Sequence, residues 1–142
     1  MIVFNSKSAT FSEFSNFHPA PFTLNGSQWP TVEHYFQAQK FPSDFALQEK
    51  IRSAKTALSA KRLGRTKTDA FLSNWDTVKD GVMETALTAK FTQNPPLQEL
   101  LKSTGDAYLQ EKSSSDNYWA AGPSGCGKNK MGHLLMKIRK QL

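Results

Sequence analysis

Cysteine is nearly absent. Cys126 stands alone in 142 residues, which excludes an internal disulfide framework and fits a reducing compartment, the cytoplasm. Long apolar runs are missing as well. No stretch approaches the roughly 18 residues that cross a bilayer, so no membrane partner is expected. The opening Met1-Ile2-Val3-Phe4-Asn5-Ser6 has neither a basic n-region nor an extended apolar segment, so no secretory leader is expected. The three histidines, His18, His34 and His133, lack His-x-x-x-His spacing and have no cysteine pair to join. A zinc site is therefore not expected, nor is any other metal or cofactor. There is no serine nucleophile elbow, and Cys126 has no histidine near it in sequence to act as its base.

Acidic residues are scarcer than basic ones. Twelve Asp and Glu face 18 Lys and Arg, a net charge of +6 and a pI near 9.5. That balance favours phosphorylated ligands or nucleic acid as partners without separating the two. A hydrophobic fraction of 38% with 21% charged residues excludes a coiled coil and a long disordered chain. A chain of this length buries about 68% of its extended surface, enough for a core without staples. It suits one domain over residues 1–142, with a monomer favoured.

Local patterns give an α+β reading: a single compact, mostly helical domain with a small β-sheet or hairpin. Ile2-Val3-Phe4 is β-prone, and Asn25-Gly26 between Pro21-Phe22-Thr23-Leu24 and Ser27-Gln28-Trp29 predicts a type I′ hairpin. Thr31 after Pro30 is placed to cap a helix to about residue 41, stopped by Pro42. Ser43 is the expected cap of a second, with Leu47, Ile51 and Ala54 on one stripe. Residues 56–63 read as a third helix, ended by Gly64. Over residues 75–91, Trp75, Val78, Val82, Ala86 and Ala89 recur at helical spacing, with Met83 and Leu87 beside them. Pro95-Pro96 opens a short helix that Thr104-Gly105 closes. Ala107-Tyr108-Leu109-Gln110 reads as a lone strand, and a last helix carries Met131, Leu134, Leu135 and Ile138 on one face.

The segment from Gly122 to Asn129 nearly matches the phosphate-loop pattern G-x-x-x-x-G-K-[ST], but Asn129 replaces the hydroxyl that would hold magnesium. No buried strand is expected before it, and 14 residues after Lys128 are too few for a nucleotide-hydrolysing sheet. A looser use stays open: backbone amides and Lys128 beside a helix N-terminus can hold a phosphate. The same glycines serve equally well as turn residues.

The densest polar and aromatic segment is Pro30-Thr31-Val32-Glu33-His34-Tyr35-Phe36-Gln37-Ala38-Gln39-Lys40-Phe41. On a helix Glu33, Gln37 and Lys40 share a face at i, i+4 and i+7. Glu33 in the first turn meets the positive end of the dipole, which suits a base or a stabiliser of a developing cation. The pattern is also ordinary helix-end electrostatics. Trp75 and Trp119 offer aromatic faces beside polar residues and are equally at home in a core. Asp116, after three serines, is a second carboxylate or a turn cap.

Together these segments resemble one family. Phe14-Ser15-Asn16-Phe17, the Trp29 to Phe41 string, Leu63-Gly64-Arg65, Asn74-Trp75, Ala89-Lys90-Phe91, Asp116-Asn117-Tyr118-Trp119 and Gly127-Lys128-Asn129 with Gly132 are collinear with the NADAR, or YbiA-like, family over nearly the whole chain. The resemblance implies a metal-independent N-glycosidase. Its substrate would be a phosphoribosylamino-pyrimidine intermediate of riboflavin biosynthesis or ADP-ribosylated guanine in nucleic acid. It implies Glu33, Trp75 and Asp116 as functional positions and Lys40 as the candidate lysine.

Cleaving a ribosyl–amine bond builds positive charge at C1, which Glu33 or Asp116 would stabilise. A neutral Lys40 amine could instead capture an imine. Trp75 and Trp119 would stack on the heterocycle, while Arg65, Lys128 and the amides of residues 122–127 would take phosphates. Asn16, Phe17, His34, Tyr35, Gly122 and Asn129 complete the expected binding set. One departure stands out: Trp119-Ala120 replaces the family's Trp-Gly, an expected change of the pocket rim. The alternative reading is a non-catalytic ADP-ribose or nucleic-acid binding module.

Overall fold

Six helices and four short strands make up the computed structural model, which describes all 142 residues. In chain order they are β1 (Ile2–Phe4), a 3-10 turn (Ser12–Phe14), β2 (Phe22–Leu24), β3 (Ser27–Trp29), α1 (Val32–Ala38), α2 (Phe45–Arg52), α3 (Ala57–Leu63), α4 (Trp75–Gln93), α5 (Pro95–Ser103), β4 (Leu109–Glu111) and α6 (Lys130–Gln141). This is an α+β fold, mostly helical. Packing sorts the chain into two units, residues 16–90 and residues 1–15 with 91–142. No helix is long and apolar enough to cross a membrane.

In the unit of residues 16–90, Asn25 (φ 53°) and Gly26 (φ 79°) both adopt the positive φ that a type I′ turn demands. The turn sets an antiparallel register of Phe22 with Trp29 and Leu24 with Ser27. Phe22 and Trp29 therefore share the buried face, where Tyr35 meets each ring edge-on at 6.2 and 5.2 Å. Thr31 caps α1, its Oγ1 accepting the His34 N–H at 3.2 Å. Every residue of α1 is buried, because β3, α2 and α3 all pack on it.

Two boundaries differ from the sequence reading. Helix α1 stops at Ala38 instead of near Phe41, since the Lys40 and Phe41 amides turn to the Gln37 and Ala38 carbonyls three residues back. Asp44, not Ser43, caps α2, its Oδ1 accepting the Leu47 N–H at 3.0 Å. An aspartate one position later reaches the amide of the third helical residue, in the first turn, and adds a charge that the helix dipole favours. Thr56, read as the first residue of the third helix, is instead the cap of α3, and Gly64 closes it. On α4 the buried positions are Trp75, Met83, Ala86, Leu87, Ala89, Lys90 and Phe91, whereas Val78 and Val82 are half-buried.

In the unit of residues 1–15 and 91–142, the fourth strand is not lone. It pairs in parallel with β1, Ile2 opposite Leu109 and Phe4 opposite Glu111. Phe4, Phe14 and Phe91, all at 0% exposure, interlock at 5.6 and 6.0 Å. Each contributes roughly 2–3 kcal/mol by leaving water. Helix α5 starts on Pro95 and ends at Thr104, with Gly105 at φ 58°. Helix α6 buries Met131, Gly132, Leu135 and Ile138 against β4, while Leu134 is only half-buried. Arg139 Nη1 ties α6 to Thr104 Oγ1 and the Ala107 carbonyl, both at 2.9 Å.

Candidate active site

Helix α1 brings the acid and amide groups of its polar face inside. Glu33 is 7% exposed and Gln37 5%, an arrangement costly for a carboxylate unless hydrogen bonds hold it. Gln37 Nε2 donates to Glu33 Oε2 at 2.8 Å, and the Glu33 amide donates to the Asn16 carbonyl at 3.2 Å. Lys40, just past the helix end, is half-buried, and its Nζ lies 3.5 Å from the Gly64 carbonyl. Burial holds the Lys40 ammonium below its usual pKa; Glu33 opposes that shift, and the positive charges of Arg65 and Lys61 add to it. The face thus combines a buried carboxylate with an amine made easier to deprotonate.

The other expected residues of this unit divide into two groups. Arg65 is exposed at the edge of a cavity of about 330 Å³ lined by Gly64, Arg65, Thr66, Lys67, Thr68 and Phe71. Phe17 is half-buried, with Lys61 Nζ 5.9 Å from its ring centre. Asn16 contributes its carbonyl to Glu33, and its side-chain Nδ2 rests 3.4 Å from Met83 Sδ. Asn16 Oδ1 is buried without a hydrogen-bond partner. By contrast, Trp75, His34 and Tyr35 are packed inside. Trp75 is 7% exposed, edge-on to Phe36 at 5.0 Å. Tyr35 faces the hairpin rings, and burial raises its hydroxyl pKa.

His34, one of the expected binding residues, has both ring nitrogens engaged within the fold. Its Nε2 can only donate to the Ala54 carbonyl at 2.9 Å, which leaves Nδ1 to accept the Thr31 hydroxyl at 2.8 Å. Neither ring nitrogen is left for a ligand. Burial lowers the His34 pKa, with the Ala54 bond acting in the opposite direction.

In the other unit, Asp116 is half-buried and closes a turn: its Oδ1 accepts the Tyr118 and Trp119 amides, both at 2.9 Å. The carboxylate thereby sets the backbone that carries Trp119, which is half-buried and edge-on to Tyr118 at 4.9 Å. Lys128 is exposed, with its Nζ 5.3 Å from the Tyr118 ring centre. Ala120 is 1% exposed, so the departure from Trp-Gly falls in the packed interior instead of on a rim.

Several amides of the expected phosphate cradle are bonded within the loop. The Gly127 amide donates to Ala121, that of Lys128 to Asn117 and that of Asn129 to Ala120, at 2.7–3.1 Å. Gly125 N–H goes to the Gly122 carbonyl and Cys126 N–H to Ser124 Oγ. These amides satisfy the loop itself. Gly122, buried at φ 70°, has no room for a side chain because one would strike the Asn117 amide. Asn129 is also bonded within the fold: at 2% exposure and φ 50°, it accepts from the Glu111 N–H at 3.0 Å and donates to the Leu109 carbonyl at 2.9 Å. Nδ2 also reaches Tyr108 Oη at 3.2 Å.

Three residues escaped the expected set. Gln37 stands in the middle of the Glu33–Lys40 spacing and Gly64 at a helix stop, and both lie within the strings shared with the family, with no role of their own expected. Lys90 is 1% exposed, a rarity for lysine. Its signal was its place at i+4 from Ala86 and i+7 from Met83, inside an apolar stripe.

N-glycosidase YbiA of Escherichia coli K12 is 45% identical over 142 residues, spanning all of this chain and 88% of that protein. An N-glycosidase of Nostoc punctiforme is 39% identical over 131 residues, 91% of this chain and 84% of its own. A riboflavin biosynthesis protein of Vibrio vulnificus is 41% identical over 128 residues, 90% of this chain but 35% of its own length. The NMR structure of E. coli YbiA superposes with a TM-score of 0.88 over 99% of this chain and 83% of that one. The NADAR domain matches residues 3–142, and the chain belongs to the NADAR family.

Proposed function

We propose that this protein is an N-glycosidase that hydrolyses a ribosyl–amine bond, with a phosphoribosylamino-pyrimidine as its substrate class. The observation that carries the reading is the α1 face, where a 7%-exposed Glu33, hydrogen-bonded by Gln37, sits with a desolvated Lys40. Names of relatives, N-glycosidase and riboflavin biosynthesis protein, support the bond type and the substrate class. In the reaction the C1–N bond breaks and its electron pair leaves with the amine, which takes a proton. The cation developing at C1 is stabilised by Glu33, an effect worth several kcal/mol in a dry site. Water then adds to C1. Alternatively the sugar ring opens to the C1 imine, the Lys40 amine adds at C1, and the substrate amine leaves with the proton that Lys40 gives up. Water then hydrolyses the remaining Lys40 imine to free the lysine and the sugar aldehyde. Arg65, exposed beside its cavity, takes the phosphate.

The test is product release followed by mass spectrometry on two substrates in parallel, a phosphoribosylamino-pyrimidine and an oligonucleotide carrying ADP-ribosylated guanine. Release of the free amine from the first supports the proposal. Release from the second alone keeps the bond type and overturns the substrate class. Tight, salt-sensitive binding with no product on either leaves the binding-module reading in its place. Glu33→Gln is expected to lower turnover by at least about 100-fold at an unchanged melting temperature.

A further inference from the structure

We propose that Gln37 and Gly64 are a positioning pair that fixes the Glu33 carboxylate, the same glycine also receiving Lys40; the proposal rests on the N-glycosidase reading. Gln37 Nε2 donates to Glu33 at 2.8 Å, but its Oε1 is buried with no hydrogen-bond partner. An unsatisfied buried acceptor costs about 1–3 kcal/mol. Turning the amide over would set its oxygen against the carboxylate, so the orientation is held for the sake of Glu33 and not of Gln37 itself.

Gly64 explains how the amide is held. Its backbone, at φ −64° and ψ −11°, is ordinary right-handed helix that any residue adopts. Backbone conformation therefore does not call for glycine here. Space does: a Cβ at position 64 would collide with Oε1 and Cδ of Gln37. On its other side the Gly64 carbonyl lies 3.5 Å from Lys40 Nζ. One peptide thus sets the height of the amide that grips the carboxylate and anchors the amine seven residues along.

The experiment is a double-mutant cycle read in steady-state kinetics, with a pH profile and a thermal melt for each variant. Gln37→Met keeps the shape and removes the donor. Its kcat should fall about 10- to 100-fold with KM changed less than about threefold. Its acid limb should move up by about one pH unit, because an amide N–H favours the ionised carboxylate. Gly64→Ala should lose a similar factor alone, and less than about twofold when added to Gln37→Ala, since no amide remains to be displaced. Wild-type kcat and acid limb in Gln37→Met, or an undiminished Gly64→Ala loss in the Gln37→Ala background, overturns the proposal while the N-glycosidase reading stands. A wild-type protein that releases no amine from either substrate overturns that reading, and this proposal with it.

Discussion

Thr31 joins the folding of α1 to the placement of its polar face, and Thr31→Val isolates that link. The substitution preserves shape at a 3%-exposed position and deletes one hydroxyl. That hydroxyl accepts the His34 N–H at 3.2 Å and meets His34 Nδ1 at 2.8 Å. Losing an N-cap costs about 1 kcal/mol. Leaving Nδ1 buried without a donor costs a further 1–3 kcal/mol or so. For a chain of this size about 3 °C is lost per kcal/mol, so the melting temperature should drop by roughly 6–12 °C. Circular dichroism melts at pH 7.5 measure it. Alongside, the wild type should lose stability as pH falls below about 6.5. His34 has a lowered pKa when folded, so the unfolded chain binds the proton first and acid favours unfolding. A Thr31→Val melt within 2 °C or so of wild type would refute the assigned cap and the His34 tautomer together.

Two further outcomes follow from the same groups. Borohydride added during turnover should trap sugar on Lys40, with the yield rising with pH and levelling off below the ordinary lysine range, because burial lowers that amine's pKa. Labelling that survives Lys40→Arg removes the imine route and leaves direct hydrolysis. Asn129→Ala should cost about 2–4 kcal/mol, since it orphans the Glu111 N–H and the Leu109 carbonyl and forces alanine to a positive φ. A denaturant midpoint equal to wild type would show that Asn129 does not pin β4.

Local chemistry was legible wherever neighbours in sequence decide the outcome. Asn25-Gly26 set its turn, Thr31 and Thr56 their helices, and Pro95 the start of α5. The Glu33–Gln37 spacing identified a shared face, because helical geometry alone brings i and i+4 together, whereas Lys40 lies past the end of α1. What lay beyond reach depends on distant partners. The parallel pairing of β4 with β1 leaves no mark within either strand. The two partners of His34, the Thr31 hydroxyl and the Ala54 carbonyl, are visible only once α1 is docked. Asn129 read as a failed phosphate-loop hydroxyl when its amide in fact serves as a bracket for β4. Gly64 read as a stop signal, although its missing side chain makes room for Gln37.

The register of Ile2 with Leu109 sets an order of events during synthesis. A ribosome that has just released β1 still has about a hundred residues to translate before the matching strand exists, a delay of several seconds at ordinary elongation rates. Residues 16–90 are continuous and need not wait. The region bearing Glu33 and Lys40 can therefore assemble on the nascent chain, while β1 stays without its partner strand until β4 has emerged, the interval in which a chaperone would find it.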